Sequence, residues 1–159
     1  MARARGAPAA LIGLAAIAMA LGGAGCGGDE GVAAGATVRV YVGANLCAEA
    51  QQALAGDGGE VGDVKLEAVC LRPAGRPGSL DLATVGANAR RATQDSSAIA
   101  YLESKSPANR FAETIVEEAG IAFVLASSGE DAVRRVSQAV EEAGSGSLRD
   151  EVRKTLESE

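Results

Sequence analysis

The sequence contains no histidine, so it lacks the imidazole base on which a Ser-His-Asp triad depends. It also shows no P-loop pattern and no zinc-ligand spacing. Glu103 has no second carboxylate at a fixed spacing that would divide acid and base roles between two groups. These absences disfavour an enzyme, and they point to no cofactor and no metal.

Positive charge is scarce as well. The chain has 15 Lys and Arg residues against 21 Asp and Glu residues, a net charge of −6. Two of the basic residues, Arg3 and Arg5, stand at the extreme N-terminus, and the rest of the chain carries about −8. This balance disfavours binding to nucleic acid or to an anionic membrane surface.

The N-terminal apolar segment, residues 9–21, is 13 residues long and falls short of the roughly 20 that a membrane span takes. Arg3 and Arg5 precede it, and small residues follow it up to Cys26. This order predicts an export signal peptide over residues 1–25. A buried core helix is the alternative.

Residues 23–26, Gly-Ala-Gly-Cys, resemble a bacterial lipobox. The resemblance implies that Cys26 becomes the first residue of the mature chain and carries the lipid. Several acyl chains on one residue would anchor the protein stably to the outer face of the bacterial cell membrane. Cleavage to a free secreted protein is the alternative. Residues 26–36 are rich in Gly and Ala and predict a flexible tether.

With Cys26 assigned to lipid, Cys47 and Cys70 remain as the one possible disulfide pair. An exported protein meets an oxidising compartment, which favours the bond. A redox or metal site is the alternative, although without histidine the pair belongs to no recognised ligand set.

Short apolar runs alternate with amphipathic segments from residue 37 onward. The predicted strands are 37–42, 64–71, 99–102 and 121–125. The predicted helices are 46–54, 81–95, 106–119, 128–143 and 148–156. This alternation predicts one α/β domain over residues 37–159, a doubly wound parallel sheet of about four strands with helices on both faces and a C-terminal helix.

Local patterns add detail to these elements. Residues 121–126 have no polar side chain, which predicts a strand buried on both faces, whereas residues 64–71 alternate in polarity and predict an edge strand. Asn45 and Ser106 are predicted N-caps, and Gly120 is predicted to end the third helix.

Two large apolar residues, each on the apolar stripe of a predicted helix, are expected to be buried. Leu82 and Phe111 fall on these stripes, and Gly86 is predicted to let its helix approach the sheet closely. The C-terminal helix is expected to cover either an exposed sheet edge or the open ligand face.

Residues 87–101, ANARRATQDSSAIAY, and residues 115–123, IVEEAGIAF, resemble the first lobe of type I periplasmic binding proteins. The likeness is to the branched-chain amino-acid group, the leucine-binding-protein-like lipoproteins of ABC transporters, and covers about residues 38–128. That family closes its ligand between two lobes. The resemblance therefore implies a truncated, one-lobe form here.

In that family, Ser- and Thr-rich loops after the last two strands hold the ligand. The resemblance implies this role for Ser104, Ser106, Ser127 and Ser128, with a small polar solute such as an amino acid as ligand. Helix N-termini at Ser106 and Ser128 agree with this role because they offer N–H groups to a carboxylate. Plain helix capping is the alternative.

The sequence thus predicts a lipid-anchored, extracytoplasmic solute-binding protein that presents its solute to a permease, with a second lobe supplied by another chain. The alternative is a non-transport envelope lipoprotein that binds another protein through its open strand-end face. Neither function involves nucleic acid.

Overall fold

The structure, a computed structural model, describes residues 35–56, 58–76, 79–107, 109–144 and 146–158. The predicted signal peptide over 1–25, Cys26 and all but the last two residues of the predicted tether lie outside these ranges. Within these ranges, no helix is both long enough and apolar enough to cross a membrane.

The described chain forms seven strands and five helices. The strands are β1 Thr37–Val42, β2 Glu60–Val61, β3 Val64–Cys70, β4 Gly75–Arg76, β5 Ser79–Leu80, β6 Ala98–Glu103 and β7 Ala122–Leu125. The helices are α1 Cys47–Gly56, α2 Leu82–Thr93, α3 Asn109–Glu117, α4 Gly129–Glu142 and α5 Leu148–Glu157. The predicted α/β class is confirmed.

The main sheet has the strand order β2-β3-β1-β6-β7. Strands β3, β1, β6 and β7 are parallel, as predicted, and the two-residue β2 adds an antiparallel fifth strand outside β3. Strands β4 and β5 form a separate small hairpin. The prediction that residues 64–71 form an edge strand is wrong at Val64 and Lys65, which pair with β2, and holds for the rest of β3, which has no outer partner among the described strands.

Strand β7 is the edge on the opposite side of the sheet, and this corrects the prediction of burial on both faces. Val124 is buried, but Phe123 is half-buried and Leu125 is 39% exposed. An edge strand has neighbours on one side only, so apolar composition alone does not ensure that both of its faces are covered.

Two apolar cores lie on opposite faces of the sheet, because alternate residues of a strand point to opposite sides. Helices α1, α4 and α5 pack with Val38, Val40 and Val42 of β1 on one face. Helices α2 and α3 pack with Tyr41 and Tyr101 on the other. The doubly wound arrangement is confirmed.

The helix ends differ from prediction at two of the predicted caps. Gly120 follows α3 with a φ of +73°, as predicted. Helix α3 begins at Asn109, however, and the Ser106 carbonyl accepts a hydrogen bond from the Asn109 amide at 3.1 Å. Helix α1 begins at Cys47, and Asn45 donates its side-chain amide to Ser104. Asn45 is therefore part of a loop contact between β1 and β6.

Leu82 and Phe111 are exposed by 51% and 46%, contrary to the prediction that they pack into the core. The Phe111 ring lies instead against Gly86 of α2, where an added Cβ would come within 3.1 Å of the ring. Gly86 thus permits a close contact between α2 and α3, and the predicted approach to the sheet is not its role.

Cys47 and Cys70 are joined as a disulfide pair with their Cα atoms 5.6 Å apart. The bond connects the start of α1 to the end of β3 and closes a loop with a sequence separation of 23. On the chain-entropy account, such a loop contributes about 3.5 kcal/mol to the free energy of unfolding.

Helix α5 lies at the amino-terminal ends of β6 and β7. Its Arg149 side chain donates hydrogen bonds to the carbonyls of Asp95 and Ser96, which precede β6. The helix also lies close to Gly120, which precedes β7: a Cβ added to Gly120 would lie 3.9 Å from the side chains of Arg149 and Asp150. The expectation that this helix covers the ligand face is wrong, because that face is at the other end of the strands.

A partly buried carboxylate, Asp95, connects β1 to the turn before β6. It accepts hydrogen bonds from the Tyr41 hydroxyl at 2.8 Å, from Arg39 at 3.1 Å and from the Ser97 hydroxyl at 2.6 Å. Burial alone would raise the pKa of Asp95, but the hydrogen bonds from Ser97, Tyr41 and Arg39 outweigh it and hold that pKa well below its ordinary value.

We expect Asp95→Asn to lower the free energy of unfolding by about 2 kcal/mol at neutral pH, since it removes charge-assisted hydrogen bonds. The pKa of Asp95 is lower in the folded chain than in the unfolded chain. The ionised Asp95 therefore stabilises the fold fully above the unfolded-state pKa, about 3.9, and this stabilisation is lost as the pH falls toward the folded-state pKa.

Urea unfolding across a pH series measures this difference. The gap between wild type and Asp95→Asn should be constant above about pH 5 and should shrink below about pH 4. Glu118→Gln removes one charge at an exposed position and serves as the control. A gap that does not change down to low pH would contradict the assignment.

Candidate ligand-binding site

A crevice of about 230 Å³ opens at the carboxyl ends of the central strands. The chain passes from β1 to β3 on one side of the sheet and then to β6 on the other side of β1, so the strand order reverses between β1 and β6. In open α/β sheets, ligands bind outside the carboxyl ends of the strands at such a reversal. The crevice therefore occupies the position that the fold favours for a ligand.

Three loops and two helices form the walls. The apolar lining residues are Ala44, Pro73, Ala74, Val85 and Ala112. The polar and charged lining residues are Asn45, Arg72, Glu103, Ser104, Ser106 and Asn109. A small number of polar groups among apolar walls is typical of small-molecule sites.

Two buried asparagines hold the loops that form the crevice. Asn88 is 3% exposed, accepts from the Arg72 amide at 3.3 Å and donates to the Arg72 carbonyl at 2.8 Å. Asn109 is 7% exposed and donates to the Ser104 carbonyl. A buried amide must be hydrogen-bonded, so each one fixes the backbone of the loop that it contacts.

A third asparagine links the loops that follow β1 and β6. The Asn45 side-chain nitrogen donates to the Ser104 hydroxyl at 2.8 Å. This bond crosses the point of strand-order reversal, and it does not use the Oδ1 atom of Asn45, which is an acceptor.

Glu103, the last residue of β6, extends its carboxylate over the end of β1. A Cβ added to Gly43 would lie 2.5 Å from Glu103 Oε2 and 3.3 Å from Asn45 Oδ1. The absence of a side chain at Gly43 thus lets the carboxylate lie close to the backbone. Burial raises the pKa of Glu103, and a hydrogen bond from the Ser104 amide opposes that rise in part. The charge of Glu103 adds to burial in raising the pKa of Tyr101.

The predicted ligand residues separate into two groups. Ser104 and Ser106 line the crevice, whereas Ser127 and Ser128 do not. The Ser128 hydroxyl accepts from the Asp131 amide at 3.1 Å and caps α4. The next amide, that of Gly129, donates to Glu49 of α1 at 2.8 Å. The start of α4 is therefore joined to α1, and Ser128 has the capping role that was the alternative.

Sequence reasoning overlooked Arg72 and Asn88, and it considered Glu103 only as a catalytic residue without a partner. A signal for Asn88 was present, since this polar residue lies three positions after Val85, beside the apolar stripe of α2. No sequence pattern placed Glu103 over Gly43, because the two residues meet only through the pairing of β1 with β6.

Comparison with family models, with characterised proteins and with solved structures finds no match to this chain. The chemistry of the crevice is therefore what supports a function.

We expect Gly43→Ala to displace the Glu103 carboxylate from the crevice toward water, because the new methyl group would occupy its place. The raised pKa of Glu103 should then fall toward its ordinary value, since burial is the main cause of the rise. A pH titration of the side-chain carboxyl carbon by NMR measures this pKa.

Gly56→Ala is the matched control, because a Cβ at Gly56 meets nothing within 4 Å. That variant should leave the pKa of Glu103 unchanged. An equal Glu103 pKa in wild type and Gly43→Ala would show that the carboxylate does not lie over Gly43.

Proposed function

We propose that this protein is a lipid-anchored, extracytoplasmic solute-binding protein of the ABC-transporter type, which takes a small polar solute into the crevice and presents it to a permease. The observation that carries the proposal is the crevice at the reversal of strand order, where Asn45, Glu103 and Ser104 face apolar walls.

The crevice has room for a small solute, with a volume of about 230 Å³. The polar lining supplies hydrogen-bond donors and acceptors for such a solute, and Val85 and Ala112 supply apolar contact.

The crevice is open on one side, and this bears on affinity. A hydrogen bond exposed to water contributes only about 1 kcal/mol net, so these walls alone favour weak binding. In our proposal a second wall, supplied by another polypeptide segment, closes the crevice and raises the affinity. The resemblance of residues 87–101 and 115–123 to a family that closes its ligand between two lobes motivates this part of the proposal.

Export and lipid attachment rest on other residues. The order of charge, apolar segment and small residues before Cys26 supports a lipoprotein signal. The paired Cys47 and Cys70 suit an oxidising compartment.

A variant that fills the crevice tests the binding proposal. We expect the standard amino acids, screened by thermal shift, to include at least one that stabilises the wild type, because a ligand that binds only the folded state raises the melting temperature. Ala44→Phe should abolish that shift, since Ala44 lines the crevice and is exposed at its rim.

Ala48→Phe is the matched control, because Ala48 is an exposed alanine on α1 outside the crevice. It should retain the shift. If no amino acid stabilises the wild type while another envelope protein co-purifies with it, the interaction-module function is favoured; the exposed Leu82 and Phe111 would then mark the docking surface.

A further inference from the structure

We propose that Glu103 is the counter-ion for a protonated amine of the bound solute, so that the crevice selects amine-bearing solutes over amine-free solutes of the same shape. This inference rests on the proposed function, because it assigns one chemical group of the ligand to one residue of the same crevice.

The geometry provides a place for an ammonium group. Glu103 Oε2 and Asn45 Oδ1 lie 2.5 Å and 3.3 Å from the position that a Cβ on Gly43 would take, so the two acceptors are close enough for one ammonium group to reach both. Asn45 uses its nitrogen to donate to Ser104, so the oxygen of the same amide, an acceptor, is not used in that bond. An ammonium group has donors only and can bond to several acceptors at once.

Asp95 is a partly buried carboxylate of this chain that has a structural role, and it provides a comparison for Glu103. Asp95 receives hydrogen bonds from Arg39, Tyr41 and Ser97. Glu103 has no such set: among the described residues, no lysine or arginine forms a salt bridge with it, and no side chain donates a hydrogen bond to it.

A carboxylate withdrawn from water without a cationic partner costs free energy. An ionised carboxylate has acceptor positions for about four hydrogen bonds, so most of the capacity of Glu103 remains for a ligand. A cationic ligand would supply the missing partner, and this explains why a charged residue stands at the floor of the crevice.

The other ionisable groups near Glu103 are consistent with this role. Arg72 is the other charged residue that lines the crevice, and it comes from the loop after β3. Strands β3 and β6 flank β1, so their ends are about 10 Å apart across the crevice. Tyr101, from β6, also interacts with the charge of Glu103. A positive group on the solute therefore fits at Glu103 and a negative group fits toward Arg72.

Three related probes separate these charges: L-valine, 2-methylpropylamine, which is valine without its carboxylate, and 3-methylbutanoate, which is valine without its ammonium group. Titration calorimetry at neutral pH with the wild type should show that valine and the amine bind at least about tenfold more tightly than 3-methylbutanoate, because charge-assisted hydrogen bonds are the strong ones.

In Glu103→Gln, affinity for valine and the amine should fall about tenfold or more, while affinity for 3-methylbutanoate stays the same or rises. Glu113→Gln, on α3 and outside the crevice, is the matched control and should change none of the three affinities. The melting temperature of Glu103→Gln should equal or exceed that of the wild type, because the substitution removes a desolvated charge.

An equal loss for all three probes, or a lower melting temperature in Glu103→Gln, would assign Glu103 a structural role and overturn the inference. Tight binding of 3-methylbutanoate by the wild type would also overturn it, while leaving the solute-binding function intact. Failure of all three probes to bind the wild type, together with silence of the amino-acid panel, would overturn both.

Discussion

The pairing of β1 with a parallel strand on each side is the constraint on which the rest of the structure depends. Val42 of β1 is opposite Cys70 of β3 and opposite Leu102 of β6, so the three strands end at the same level. The loops after these strands therefore meet at one edge of the sheet. The polar residues that form the crevice come from segments far apart in sequence, and this shared register brings them together.

Buried polar groups have three different roles around this sheet. Asn88 and Asn109 are hydrogen-bonded to backbone and hold the crevice loops. Asp95 is hydrogen-bonded by side chains from β1 and from its own turn, and it stabilises the fold at the amino-terminal end of β6. Glu103, at the carboxyl end of the same strand, has no comparable set of partners in the part of the chain that the structure describes. The two carboxylates at the opposite ends of β6 therefore differ in their partners, and this difference favours a ligand-binding role for Glu103.

The sequence predicted the order of the main strands and helices, because periodicity and turn residues determine these locally. Exposure was harder to predict. Phe111 lies on an apolar stripe, yet the sheet leaves this side of α3 uncovered, and Leu125 is exposed because β7 is an edge. The site was predicted in part: Ser104 and Ser106 line the crevice, but the close approach of Glu103 to Gly43 depends on tertiary pairing that no local pattern records.

The central claim is that the reversal of strand order between β1 and β6 forms the ligand site. Backbone amide NMR during titration with L-valine tests this claim most directly, because it locates binding residue by residue. We predict chemical-shift changes concentrated at six residues around the crevice, Gly43, Asn45, Arg72, Ala74, Gly75 and Ser104. Changes concentrated instead in the groove between α1 and α4, around Val61 and Val133, or the absence of any change, would contradict it.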